Sequence, residues 1–311
     1  MSNKWTFVIN CTHPLTSLDW RDEFKRLQGA YAPATIRSYV CDVAIFVEWC
    51  TVQAIAPFPA SVESVCAFLE AQAPNLAPST VRRRVYSIRK IHRLLRLPDP
   101  TLDEELMISL RRIRRAKLGR PRQAKGLTQR YRDAFLSVQP DTPLGLRNRT
   151  MIALGYDLLT RHSELVAIRT SELEQRGDGT LRVLIRRSKA DPFGHGRISF
   201  TSSATAALIA EWLKWRGANL EYLFCPIYKG QAVDRCLSPT TVKRLIKGTA
   251  TLIGLDQIDV DAFSNHSMRV GAAQDLLCAG YDMAAIRRAG GWKSVNVLGR
   301  YLEFAEHNVW A

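Results

Sequence analysis

The chain has 311 residues, with 44 Lys or Arg against 29 Asp or Glu, a formal charge of +15 and an isoelectric point near 9.8. A hydrophobic fraction of 46% is that of a folded protein, and the length suits two domains or one large one. The longest apolar runs fall well short of the roughly 18 residues of a membrane span. The opening MSNKWTFVIN lacks the pattern of a secretory signal, so membrane and export readings are excluded and a cytoplasmic setting is expected.

In chain order, the first 120 residues read as all-helical. Ile36, Val40, Val43, Val47 and Cys50 make an apolar stripe that follows the start APATIRS (residues 32–38). An echo, APSTVRR (77–83), opens a second amphipathic segment with Val81, Val85, Ile88, Ile91 and Leu95 on one side and Ser79 as the expected N-cap. The two read as similar helices of one bundle. Arg82, Arg83, Arg89, Lys90, Arg93 and Arg96 occupy the other half of the second helix, a face that includes no acid. Further helices are expected over 61–72 and 101–117, the latter opening with the capping-box spacing Thr101-x-x-Glu104.

From Arg114 to Gly126 the pattern collapses into RRAKLGRPRQAKG, basic and without apolar periodicity. This places a helical domain over 1–120, a basic linker over 121–126 and a second domain over 127–311. In the second domain, 128–138 and 144–160 read as helices. Residues 180–187 alternate around Leu181, Val183 and Ile185 as a strand, and a glycine-rich turn (191–196) leads to a short run over 197–200, making a hairpin. Helical patterns return over 203–215, 240–252, 268–278 and 282–289, and once more after Ser294. This half is mostly α with a small sheet.

Seven cysteines (Cys11, Cys41, Cys50, Cys66, Cys225, Cys236, Cys278) form an odd set without a C-x-x-C. That argues against a disulfide framework or paired zinc knuckles and for reduced, mostly buried thiols. The positive charge suggests a polyanionic partner, most often nucleic acid, without separating DNA from RNA.

Three local features bear on chemistry. Arg161 and Glu164 share a face at a spacing of three, which alone reads as a surface ion pair. His266 and Arg269 have the same spacing at the start of HSMRVGAAQDLLCAG, and most such pairs are structural. In AGGWKSVNVLGRY, Trp292 precedes Tyr301 across a turn, where both would ordinarily be core residues. Taken together, the order Arg161, Glu164, Lys189 in a hairpin turn, His266-x-x-Arg269, Trp292 and Tyr301 resembles the tyrosine recombinase (phage integrase) family. The likeness covers the whole chain, specifically in the C-terminal half and loosely in the first 120 residues. Two departures are Thr160, where many members have glycine, and Val270, where histidine is frequent.

The resemblance implies a mainly α, C-shaped clamp: an all-α N-terminal core-binding bundle and a mostly α catalytic domain with a small antiparallel β-sheet. It implies site-specific recombination of double-stranded DNA through a covalent 3′-phosphotyrosine at Tyr301. The enzyme would be a dimer on one site and a tetramer on two, each site being a pair of inverted elements. An unperturbed tyrosine, with a pKa of about 10, is a poor nucleophile without nearby cations. Arg161 and Arg269 present paired donors to non-bridging oxygens and stay charged at any working pH, while His266 and the Trp292 indole add donors. By resemblance Lys189 is the general acid for the 5′-hydroxyl, and Glu164 orients Arg161 or His266. No cofactor or metal is called for. DNA contacts are expected from Thr35, Arg37, Arg82, Arg83, Arg89 and Lys90, and from Lys243 and Arg244. Two rivals on the same residues are a type IB topoisomerase-like relaxing enzyme and a non-catalytic DNA-binding regulator.

Overall fold

The computed structural model describes residues 19–117, 123–186 and 196–305. The chain divides into two compact units, Met1–Pro121 and Arg122–Ala311.

The first unit holds α1 (Trp20–Glu23), α2 (Pro33–Val52), α3 (Val62–Gln72), α4 (Pro78–Leu94) and α5 (Glu104–Ala116). The Ala-Pro echo has a structural meaning: both α2 and α4 begin with proline at the first helical position, after an extended alanine. Proline there costs no hydrogen bond and brings a helical φ. Ser79 is therefore inside α4 rather than its cap. Likewise Thr101 does not open α5. Pro100–Leu102 forms a short 3-10 turn under Asp99, and Asp103 caps α5 by accepting the Glu105 N–H. Val81, Val85, Ile88 and Ile91 of α4 are buried as their spacing predicts, against Phe46, Phe68, Leu69 and Leu106 on one side and Trp20, Phe24 and Val43 on the other.

The cationic half of α4 is not free of acid once folded. Asp42, buried on α2, accepts from Nε and Nη2 of Arg83 at 2.9 and 2.7 Å and from the Ser87 hydroxyl at 2.9 Å. Asp99 lies 3.8 Å from Arg89 and 3.2 Å from Arg93. Both acids come from other segments, so a wheel drawn on α4 alone omits them.

The second unit is built from α6 (Gln129–Ser137), α7 (Pro143–Asp157), α8 (His162–Val166), α9 (Ser203–Arg216), α10 (Pro239–Leu252), α11 (Gln257–Ala262), α12 (Ser267–Cys278), α13 (Met283–Gly290) and α14 (Val295–Leu302). Its antiparallel sheet runs β1 (Leu173–Gln175), β2 (Leu181–Ile185) and β3 (Arg197–Phe200) in that order, with Ile185 opposite Arg197. Residues 181, 183 and 185 point into the core. The strand β1 and a tiny ribbon of β4 (Ile227–Tyr228) and β5 (Gln231–Ala232) go beyond the expected hairpin.

The helix expected over 144–160 stops at Asp157, because Leu159 takes a left-handed conformation (φ 48°) and turns the chain into α8. At the centre, α12 packs against α6, α7, α13 and α14. Gly271 permits this: a Cβ there would fall 2.0 Å from the Leu127 carbonyl oxygen, where the incoming chain crosses α12. Lys125 donates its N–H to Ala262, and Leu127 to Ser267, so this end of the basic segment lies docked on the second unit. No helix among the described residues is long and apolar enough to cross a membrane.

Candidate active site

Arg161 is the residue just before the first turn of α8, and Glu164 closes that turn. The Glu164 carboxylate accepts the Arg161 backbone N–H at 3.1 Å through Oε2 and its Nη1 at 2.5 Å through Oε1. An exposed i,i+3 pair would add little, but the Glu164 side chain is 1% exposed. Here the pair sets where a guanidinium points.

Arg269, in the first turn of α12, is completely buried. One donor, Nη1, goes to the Leu159 carbonyl, which the left-handed turn aims inward. The guanidinium carbon sits 3.8 Å from the centre of the Trp292 ring and 5.7 Å from that of Tyr301. Among the described residues, Nε and Nη2 of Arg269 and Nε1 of Trp292 are buried and find no hydrogen-bond partner. Buried donors left empty are rare enough to need a reason, and three donors beside a tyrosine suit an incoming anion. Burial, then the nearby charge of Arg161, pushes the Arg269 pKa down to about 10, still a full cation at neutral pH.

Tyr301 lies on α14, half-buried, its ring edge-on to Trp292 with centroids 5.1 Å apart. The Tyr301 carbonyl accepts Gln274 Nε2 at 3.3 Å, tying α14 to α12. Trp292 follows the left-handed Gly291 (φ 66°) that ends α13, and its ring lies where a Gly290 side chain would be. His266 precedes α12 and takes the Ser264 hydroxyl through its backbone N–H. Its ring meets His162 edge-on at 5.8 Å.

Thus Arg161 and Glu164 form one contact pair, and Arg269, Trp292 and Tyr301 one cluster. Lys189 lies outside the described residues. Three neighbours escape a sequence reading. His162 shares its Nδ1 with the Asn265 side chain at 2.8 Å, and burial holds its pKa below the usual 6.5. Arg197, at the start of β3, has Nη2 3.7 Å from Glu164. Adjacency to Arg161 and His266 is the one signal that marks His162 and Asn265; Arg197 has none.

Of the expected DNA contacts, Arg37, Arg82, Lys243 and Arg244 are exposed and Thr35 is half-exposed. Arg83 is bound to Asp42. Arg89 donates to the Thr101 hydroxyl at 2.8 Å, and Lys90 to the Tyr31 hydroxyl at 2.8 Å. Among the described residues, no group of three or more His, Cys, Asp or Glu is placed to hold a metal ion.

Residues 125–307 match the phage integrase family. The chain belongs to that family. Among curated relatives, recombinase cre of Escherichia phage P1 is 29% identical over 271 residues, covering 82% of this chain and 79% of the relative. The integrase/recombinase xerD homolog of Selenomonas ruminantium is 28% identical over 290 residues, covering 90% and 84%. Solved structures share the fold. XerH site-specific recombinase bound to palindromic difH substrate has a TM-score of 0.67 at 16% identity, covering 91% of this chain and 80% of that one. A lambda integrase dimer bound to a COC' core site has a TM-score of 0.59 at 16% identity, covering 93% and 96%. The protein is a tyrosine-type site-specific recombinase, an enzyme that cleaves and rejoins DNA strands.

Proposed function

We propose that Tyr301 is the nucleophile of this phage integrase family member and that Arg161, Arg269, His266 and Trp292 receive the scissile phosphate. In the forward step the Tyr301 oxygen attacks phosphorus, a phosphorus–oxygen bond forms, and the bond to the 5′-oxygen breaks. The departing oxygen takes a proton, which the family resemblance assigns to Lys189. The product is a 3′-phosphotyrosine that retains the energy of the broken bond, so a 5′-hydroxyl can reverse the step without ATP. The Arg269–Trp292–Tyr301 cluster carries this reading, because its buried donors, unpartnered among the described residues, lie beside Tyr301 where the charge of a phosphate would develop. Glu164 holds Arg161 in place.

In this reading residues 1–120 form the core-binding domain, 121–126 the linker and 127–311 the catalytic domain. The partner is duplex DNA, held by a dimer on one site and a tetramer across two. Arg83, Arg89 and Lys90 meet phosphates already braced by their protein partners, which lowers the entropy lost on binding. Arg82, Arg37, Thr35, Lys243 and Arg244 complete the contact.

Covalent capture tests the reading. Purified protein is incubated with a duplex library containing randomly placed nicks, denatured, and the attached DNA sequenced, with Tyr301→Phe in parallel. A discrete sequence captured by the wild type and nothing by Tyr301→Phe is the expected result. Adducts persisting in Tyr301→Phe would place the nucleophile at another residue, and tight binding without adducts would overturn the phosphotyrosine reading.

A further inference from the structure

Arg197 stands apart from the residues above because both its terminal nitrogens already donate to protein carbonyls. Its side chain is 15% exposed. Nη1 donates to the Ala289 carbonyl at 2.6 Å, near the end of α13, and Nη2 to the Leu158 carbonyl at 2.8 Å, just past α7. The same Nη2 lies 3.7 Å from Glu164, the carboxylate that holds Arg161. The alkyl chain is seated on Gly291, where a Cβ would fall 2.6 Å from the Arg197 Cδ. One buried side chain therefore joins three pieces of backbone. These are the turn that leads from α7 to Arg161, the turn that presents Trp292, and the start of β3.

A buried cation is costly to desolvate, and apolar residues fill such space as well or better for stability alone. With both terminal nitrogens occupied by protein, Arg197 is poorly placed to bind a phosphate oxygen itself. We infer that Arg197 is a positioning residue for strand cleavage, clamping the Leu158–Glu164 turn to the Trp292 turn so that Arg161 and Trp292 address one phosphate. This rests on the phosphotyrosine reading above. A lysine has one terminal nitrogen and cannot reach two carbonyls and a carboxylate in a plane, whereas a methionine fills the volume without charge.

The test uses a nicked duplex bearing the captured sequence, with the wild type, Arg197→Lys, Arg197→Met and, as comparator, Arg161→Ala. Rate of adduct formation at saturating DNA, DNA affinity and thermal midpoint are measured for each. Arg197→Met is expected to lose about 10–100-fold in rate, the cost of a misplaced catalytic group, with affinity unchanged and Arg197→Lys in between. The deciding readout is a second substrate in which one non-bridging oxygen of the scissile phosphate is replaced by methyl. That group carries no charge, so it has less need of an aimed guanidinium, and the penalties of Arg161→Ala and Arg197→Met should shrink together. An equal penalty on both substrates would show a general folding defect and overturn the inference, as would a wild-type rate in Arg197→Met. Absence of any wild-type adduct on the charged substrate would overturn the phosphotyrosine reading itself.

Discussion

The Arg269 guanidinium carbon sits over the Trp292 ring, 3.8 Å from its centre and wholly out of water. The indole supplies a negative face without taking a hydrogen bond, so the cation is held while two of its nitrogens are unpartnered among the described residues. Arg269→Lys should therefore do more harm than a change of one cation for another suggests. An ammonium lacks both the plane and the paired donors. Adduct formation is expected to fall about 10²–10³-fold, in line with loss of a preorganised donor, with duplex affinity little changed. A loss under threefold in single-turnover cleavage would contradict the arrangement.

Glu164 is the buried counter-charge for Arg161 and, more distantly, Arg197. Glu164→Gln keeps the shape and an acceptor but removes the charge. It should cost on the order of 3 kcal/mol of stability, the scale for breaking a buried pair, read as a lowered urea midpoint with unchanged slope. Cleavage should fall further than the loss of folded protein accounts for.

The first unit contains an acid-sensitive joint. His92 on α4 is fully buried; its Nε2 accepts the Ala60 N–H at 3.0 Å, and its Nδ1 lies 2.8 Å from the Ile88 carbonyl. Nε2 can accept only in the neutral ring, and burial holds the pKa below the ordinary 6.5. The unfolded chain thus takes up the proton first. His92 contributes its full stability above pH 6.5 and loses it as the pH falls through the folded value. Urea midpoints at pH 7.5 and 5.5 should differ more in the wild type than in His92→Gln. Equal differences would remove His92 as the cause.

Arg82 and Arg83 are adjacent but should behave differently. Arg82 is exposed, donating to the Tyr86 hydroxyl at 3.2 Å, whereas Arg83 neutralises the buried Asp42. Arg82→Ala is expected to weaken duplex binding uniformly, reduce the slope of log affinity against log salt by about 1, and shift stability by no more than about 0.5 kcal/mol. Arg83→Ala should lower both affinity and stability, and Asp42→Asn should restore part of the stability. Parallel losses in the two single variants would show that Asp42 is not the discriminating partner.

Much of this was legible in the chain. The Val81–Ile91 stripe is spaced for one helix face and is buried as such, and the alternation of Leu181, Val183 and Ile185 marks a strand with one face inward. The order of Arg161, Glu164, His266, Arg269, Trp292 and Tyr301 points to the family without any fold. What escaped is set by contacts between distant segments. Asp42 is 41 residues from Arg83, and Arg197 is 92 from Ala289; no periodicity within one helix or strand encodes such pairs. Two helix starts differ from expectation for a local reason: Ser79 and Thr101 are good caps by type, but Ala77, just ahead of Pro78, and Asp103 are the residues at the cap positions.

Gly290 offers a different kind of handle on the enzyme. The Trp292 ring fills the volume a side chain would need there, with a ring carbon 1.8 Å from the site of a Cβ. Most ways of silencing the protein erase a charge, a donor or the nucleophile, and so change what the DNA meets. Alanine at this one position would leave each of those groups present and push the indole out of register with its neighbours. The expected result is a protein that still meets duplex DNA with every charge, donor and the nucleophile in place but leaves the strand uncut, so that the uncut complex could be imaged.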